Sequence, residues 1–118
     1  MLKIYGLKNC DTCRKAVKWL EAEGVAHQFH DLKTEGISAA DVKRFAGAVG
    51  WEALLNKAST TWRGLPDGDK EGLGEAKALK LMAAHPALIK RPVFDSGKTV
   101  ISGFREPQKA AIKKAFGK

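Results

Sequence analysis

The tightest constraint on this chain lies in its first twenty residues, MLKIYGLKNCDTCRKAVKWL, where a short apolar run is followed at once by two cysteines and an amphipathic segment. Leu2, Ile4 and Tyr5, with Lys3 between them, read as a strand ended by Gly6. A segment of helical period then begins after Asn9, with Ala16, Val17 and Leu20 as one apolar stripe and Lys15 and Lys18 outside it. The order is strand, loop, helix. Cys10 therefore falls at or just before the first helical turn, and Cys13 lies three residues further on, on the same face. Unpaired N–H groups and the positive end of the helix dipole favour a thiolate there, and the thiolate is the form that attacks disulfides and other electrophiles.

Two plainer readings compete with a reactive thiol pair. C-x-x-C is also half of a zinc site, but the remaining candidate ligands, His27, His30 and His85, are scattered singly, so no metal is expected. Free cysteines also pack as small inert hydrophobes. Placement at a helix start, with Lys8, Arg14 and Lys15 nearby, weighs against that.

A length of 118 residues with 44% hydrophobic content suits a single domain spanning 1–118 with one core. No apolar leader and no run near the ~18 residues of a membrane span is present, which makes a cytoplasmic protein without membrane contact the expectation. In that setting two cysteines at this spacing read as catalytic or redox-sensing rather than structural. The net charge of +8 is local: residues 77–118 carry ten Lys and Arg against Asp95 and Glu106 alone. Such a region can attract an anionic substrate or an acidic protein. Without interleaved exposed aromatics or a groove-reading motif, the pattern argues against nucleic acid.

Further along, a first helix is expected over about Asp11–Glu23, stopped by Gly24. Val25–Asp31 is expected as a second strand parallel to the first. The stretch LKTEGIS reads as a loop leading to Ser38, which with Asp41 resembles a helix N-cap ahead of Val42, Phe45 and Ala46. Trp51, Leu54 and Leu55 suggest a short helix. The Gly- and Pro-rich stretch that follows reads as a surface loop in which Arg63 is a candidate anion contact, the plainer reading being an ordinary exposed arginine. Glu75–Ala84 is helical in pattern and is ended by Pro86. Val93-Phe94, Ser96-Gly97 and Thr99–Ile101 read as an antiparallel hairpin opened by Pro92, where a cis bond can be accommodated. Pro107 begins a last helix with Ala110, Ala111, Ile112, Ala115 and Phe116. The expected class is α/β, of order βαβ, a helical insert over about 38–85, then ββα.

This order, with C-x-x-C at the first helix and an X-Pro before the hairpin, resembles the thioredoxin fold. The segments YGLKNCDTCRKAVKWLE, GWEALLNKASTTWRGL, ALIKRPV and ISGF, in that order and across nearly the whole chain, resemble the glutaredoxin-linked arsenate reductase (ArsC) family. Within it the resemblance points to the branch of YffB-like thiol reductases and Spx-like regulators. It implies a nucleophilic cysteine at Cys10 and arginines at Arg91, Arg63 and Arg105 around it to hold an oxyanion. Guanidinium groups suit that role because they stay charged and offer a planar fork of donors.

One feature departs from the arsenate reductases, which resemble monothiol enzymes here: Cys13 can close a disulfide with Cys10. The resemblance as a whole implies a glutathione-dependent thiol–disulfide reductase, with Cys10 as nucleophile and Cys13 or glutathione resolving the intermediate. Asn9, Thr12 and Pro92 would shape the substrate site with the arginines. The implied co-substrate is glutathione, with no bound cofactor; the partners are a small anionic or disulfide substrate and glutaredoxin or thioredoxin, and a monomer is expected. The second reading is an Spx-like redox-responsive regulator that binds RNA polymerase.

Overall fold

The computed structural model describes residues 2–116, and side chains over 2–115. Met1 and the side chain of Phe116, expected on the last helix, lie outside what is described. In chain order the elements are β1 (Leu2–Gly6), α1 (Asp11–Ala22), β2 (His27–Asp31), α2 (Leu32–Glu35), α3 (Ala39–Val49), α4 (Trp51–Leu54), α5 (Thr60–Arg63), α6 (Asp67–Lys70), α7 (Glu75–Ala84), a 3-10 turn (Pro86–Leu88), β3 (Val93–Asp95), β4 (Val100–Ser102) and α8 (Glu106–Phe116). They form two compact units, one from residues 1–35 and 91–118 and one from residues 36–90.

The first unit is a four-stranded mixed sheet of order β2-β1-β3-β4, with β1 parallel to β2 and antiparallel to β3. This α/β arrangement is the expected βαβ followed by ββα. β1 is central, and a strand hydrogen-bonded on both edges and covered on both faces must run nearly continuously apolar. Leu2, Ile4 and Tyr5 are buried and Lys3 alone is exposed. Leu2 and Ile4 join Ala16 and Leu20 of α1, Phe94 of β3 and Ile112 of α8 in one core, with Val17, Trp19, Phe29 and Phe104 packed around it.

α1 ends where its glycine requires. Gly24 takes φ +70°, its N–H donates to Glu21 O and the Val25 N–H donates to Leu20 O at 2.9 Å. Only a residue without Cβ enters this left-handed conformation at little cost, and the reversed chain then starts β2. β2 is shorter than expected, beginning at His27, where the ring Nδ1 lies 3.1 Å from Val25 O.

In the second unit α3 starts at a capped Ser38, whose hydroxyl accepts from Asp41 N–H at 3.1 Å. The end of the unit pairs with the chain that leaves α4: Lys90 N–H donates to Leu54 O at 2.8 Å and Asn56 N–H to Leu88 O at 2.7 Å, around a Leu55–Ile89 bridge. Two loop expectations are corrected. LKTEG contains the single turn α2, because the Asp31 carboxylate accepts from Lys33 N–H at 2.9 Å while Glu35 accepts from Asp31 N–H at 2.8 Å. The polar stretch after Asn56 holds α5 and α6. Ser59 caps α5 by accepting from Trp62 N–H at 3.1 Å, and the Lys77 ammonium donates to the carbonyls of Gly68, at 2.7 Å, and Glu71.

Leu20 is fully buried in the first unit's core. Leu20→Ala should therefore cost about 2–5 kcal/mol, lowering the urea midpoint with little change in slope. A loss below about 1 kcal/mol would mean that this cluster is not the unit's core.

Candidate active site

The C-terminal ends of parallel strands are where α/β folds place their chemistry, and β1 delivers the cysteine loop to that end. From Gly6 the chain makes a tight turn in which Cys10 N–H donates to Leu7 O at 3.1 Å. Arg14 N–H then donates to Cys10 O at 3.0 Å, the first bond of α1. Cys10 is the N-cap residue, with extended backbone (φ −91°, ψ 118°). No side-chain cap hydrogen bond closes there, but the Cys13 N–H faces the Cys10 sulfur.

The partner comes from the other edge of β1. Tyr5 pairs with Val93, so the chain just before β3 reaches the same end of the sheet as the chain just after β1. Arg91 stands there, followed by a cis bond to a buried Pro92. Pro92 does not enter the hairpin, whose first strand begins at Val93; its carbonyl accepts from Gly103 N–H at 2.8 Å.

The two sulfurs are driven in opposite directions. Around half-buried Cys10, desolvation is the largest single influence and opposes the thiolate. It is outweighed by the Cys13 N–H, the Cys13 thiol as a donor, and the charge and hydrogen bond of Arg91, so the Cys10 pKa lies below the ordinary 9.0. Cys13 is fully buried, and burial pushes its thiol up to about 12. The facing Cys10 adds to that rise, and the Leu7 N–H and Arg91 only partly offset it. The pair therefore sets a sulfur favoured as thiolate, Cys10, beside a buried S–H donor, Cys13.

Thr12 is exposed in the first turn of α1, and Asn9 is exposed in the loop, its carbonyl 3.5 Å from the Arg14 guanidinium. Arg14 also binds Asp11 at 3.2 Å, so the cation beside Cys10 is Arg91 and not the cations adjacent in sequence. Arg105 sits two residues beyond Gly103 at the entry to α8, exposed, its N–H donating to Gln108 at 3.0 Å. Arg63 belongs to the second unit. It closes α5 rather than lying in an open loop, and its guanidinium donates to Ala58 O at 3.0 Å. Two residues at the cysteines carry no sequence signal beyond strand-end composition: Leu7, through its N–H, and Gly6, which lies directly against the Cys13 side chain. Among the described residues no group of three or more His, Cys, Asp or Glu is placed to hold a metal ion, and no helix is long and apolar enough to cross a membrane.

The ArsC family model matches residues 5–112. The chain belongs to the ArsC family. Among solved structures, one described as the YFFB protein is 43% identical, with a TM-score of 0.89, covering 94% of this chain and 97% of its own. An arsenate reductase (ArsC) related protein from Brucella melitensis is 44% identical, with a TM-score of 0.74, covering 96% and 94%. An uncharacterized protein of Haemophilus influenzae is 41% identical over 92% of this chain and 95% of its own length. The global transcriptional regulator Spx of Streptococcus mutans is 26% identical over 92% of this chain and 80% of its own.

The alkylation rate of Cys10 follows its thiolate fraction, so against pH it should rise with an inflection below 9.0. Arg91→Ala removes the charge and the hydrogen bond and should move that inflection upward. Arg91→Lys, which keeps the charge without the fork, should fall between the two. Identical profiles in all three proteins would remove Arg91 from the site.

Proposed function

We propose that this ArsC-family protein is a glutathione-dependent thiol–disulfide reductase in which Cys10 is the nucleophile and Arg91 holds a negative group of the substrate. The observation that carries this reading is the asymmetry of the cysteine pair, with Cys10 favoured as thiolate beside Arg91 and Cys13 buried and held protonated. In a mixed disulfide between glutathione and another thiol, the Cys10 thiolate attacks the glutathione sulfur. The S–S bond breaks, the other thiol leaves as its thiolate and takes a proton from solvent, and a Cys10–glutathione disulfide forms. A second glutathione thiolate attacks the glutathione sulfur of that adduct, releasing oxidised glutathione and returning the Cys10 thiolate.

Cys13 is the alternative resolving thiol. Forming the adduct removes the Cys10 charge and with it part of the upward push on Cys13, but burial, the largest cause, remains. A thiol attacks best when its pKa is near the ambient pH, which favours glutathione over Cys13 as the resolving nucleophile. Glutaredoxin or thioredoxin could regenerate the system, a cytoplasmic setting would supply the glutathione, and the chain would act as a monomer. The solved relative named as arsenate reductase related makes an oxyanion a second electrophile to assay. Arg63 and Arg105 are the further arginines to test for anion contact.

The match to Spx together with the Cys10–Cys13 pair favours one competing reading, a redox-responsive regulator that binds RNA polymerase. Turnover separates them. With a glutathione mixed disulfide, excess glutathione and glutathione reductase, the reductase should complete many cycles. Cys10→Ser should abolish them, while Cys13→Ser should keep glutathione-dependent activity within roughly threefold of the parent. No turnover, together with oxidation-dependent capture of RNA polymerase, would establish the regulator instead. A dead Cys13→Ser with glutathione present would make Cys13 the obligatory resolving thiol.

A further inference from the structure

The cysteine pair rests on a glycine. A Cβ built on Gly6 would lie 2.6 Å from the Cys13 sulfur and 3.2 Å from the Cys13 Cβ, with the Phe29 ring at 3.5 Å. The first distance is well inside van der Waals contact. Gly6 is not among the positive-φ glycines, so its backbone conformation is open to any residue and the demand for glycine is purely one of space. Cys13 is fully buried in the first turn of α1, between Cys10 and Ala16 in sequence. Its sulfur sits over the end of β1, receives the Leu7 N–H and faces Cys10. A methyl group at position 6 would have to occupy that place, and the short Cys13 side chain can yield only by rotating its sulfur away.

We propose that Gly6 is a positioning residue for the reaction: the absence of a side chain at the end of β1 holds the Cys13 sulfur where it can donate to Cys10, and so sets how readily Cys10 attacks. The inference rests on the reading of Cys10 as the reactive thiolate. It adds that the size of residue 6 controls this reactivity through Cys13, without contact with substrate. The same placement keeps the two sulfurs close enough to join, so residue 6 also controls closure of the Cys10–Cys13 disulfide.

The test is a double-variant cycle on the full chain, reading Cys10 alkylation against pH and disulfide closure under a glutathione redox buffer. The parent fixes the underlying reading, since an inflection below 9.0 is required of it before any variant is compared. Gly6→Ala should lower the Cys10 alkylation rate near neutral pH by roughly tenfold, the scale of losing a hydrogen bond to a charged sulfur, and should impair disulfide closure. Cys13→Ala should lower the rate by a similar factor, and adding Gly6→Ala to it should change the profile no further, because the atom that the methyl group displaces is gone. If Gly6→Ala alone does not fold, the double variant carries the test: it should fold and titrate as Cys13→Ala does. A parent-like profile in Gly6→Ala, an equal further loss on the Cys13→Ala background, or a double variant that fails to fold would each overturn the assignment while leaving the parent's low Cys10 inflection intact.

Discussion

The site depends on β1 being paired on both edges. A central strand brings its two neighbours into fixed register. Because β2 runs parallel to it and β3 antiparallel, the residues that follow β1 and those that precede β3 meet at one end of the sheet. Cys10 and Arg91 are far apart in sequence, yet each is only a few residues from the paired positions Tyr5 and Val93. Burial of Ile4 and Phe94 in one core holds that pairing, and the side-chain period of two makes a register slip costly, since it would turn Ile4 away from α1 and Ile112. The Cys10 sulfur and the Arg91 guanidinium are thus located by the same hydrophobic contacts that stabilise the unit.

Given that placement, the difference between the two thiols follows from depth. Both lie near the start of α1 and both face Arg91, so the helix dipole and the guanidinium favour a thiolate at either position. Desolvation decides between them. At Cys10 the favourable groups together exceed it, whereas at Cys13 it prevails. Sharing the residual proton through the Cys13 thiol then reinforces the difference, because a donor that steadies one sulfur's charge is itself harder to ionise.

Most of the fold was legible because its signals are local. The left-handed stop at Gly24, the Ser38–Asp41 cap and the Ser96-Gly97 hairpin turn are each specified by two or three residues acting on their own backbone. The expected strand–helix–strand and the closing hairpin and helix follow from these. The short helices α5 and α6 were not legible, since Gly64, Pro66 and Gly68 oppose them on composition and they depend on a Ser59 cap and on Lys77 reaching back across nine residues to Gly68. At the site, sequence proximity pointed to Lys8, Arg14 and Lys15 as the cations near Cys10. The structure commits Arg14 to Asp11 and brings Arg91 from across the sheet, the arginine that the family resemblance, and not spacing, put beside Cys10. Spacing along one chain segment cannot show which side chains a neighbouring strand supplies. The demand for glycine at position 6 was hidden for the same reason, because what fills the space is a side chain from α1.

The excess positive charge of the C-terminal third invites the thought that it activates the thiol, but distance and pairing argue otherwise. Lys113 of α8 reaches Glu23, just beyond the C-terminal end of α1, at 3.4 Å. Cys10 caps the opposite end of that 12-residue helix, about 18 Å away at 1.5 Å per residue. That exceeds the Debye length of about 8 Å at physiological ionic strength, so charge at Lys113 is largely screened from the sulfur. Lys109 is drawn to Glu106 at 3.4 Å and lies over the Phe104 ring, 4.8 Å from its centroid, which covers part of the aromatic cluster that Trp19 and Phe94 complete. These lysines therefore cover and solvate the outer face of the packed helices. Of the cations in that third, the one that lowers the Cys10 pKa is Arg91, placed within hydrogen-bonding reach of the sulfur by strand pairing rather than by the overall field.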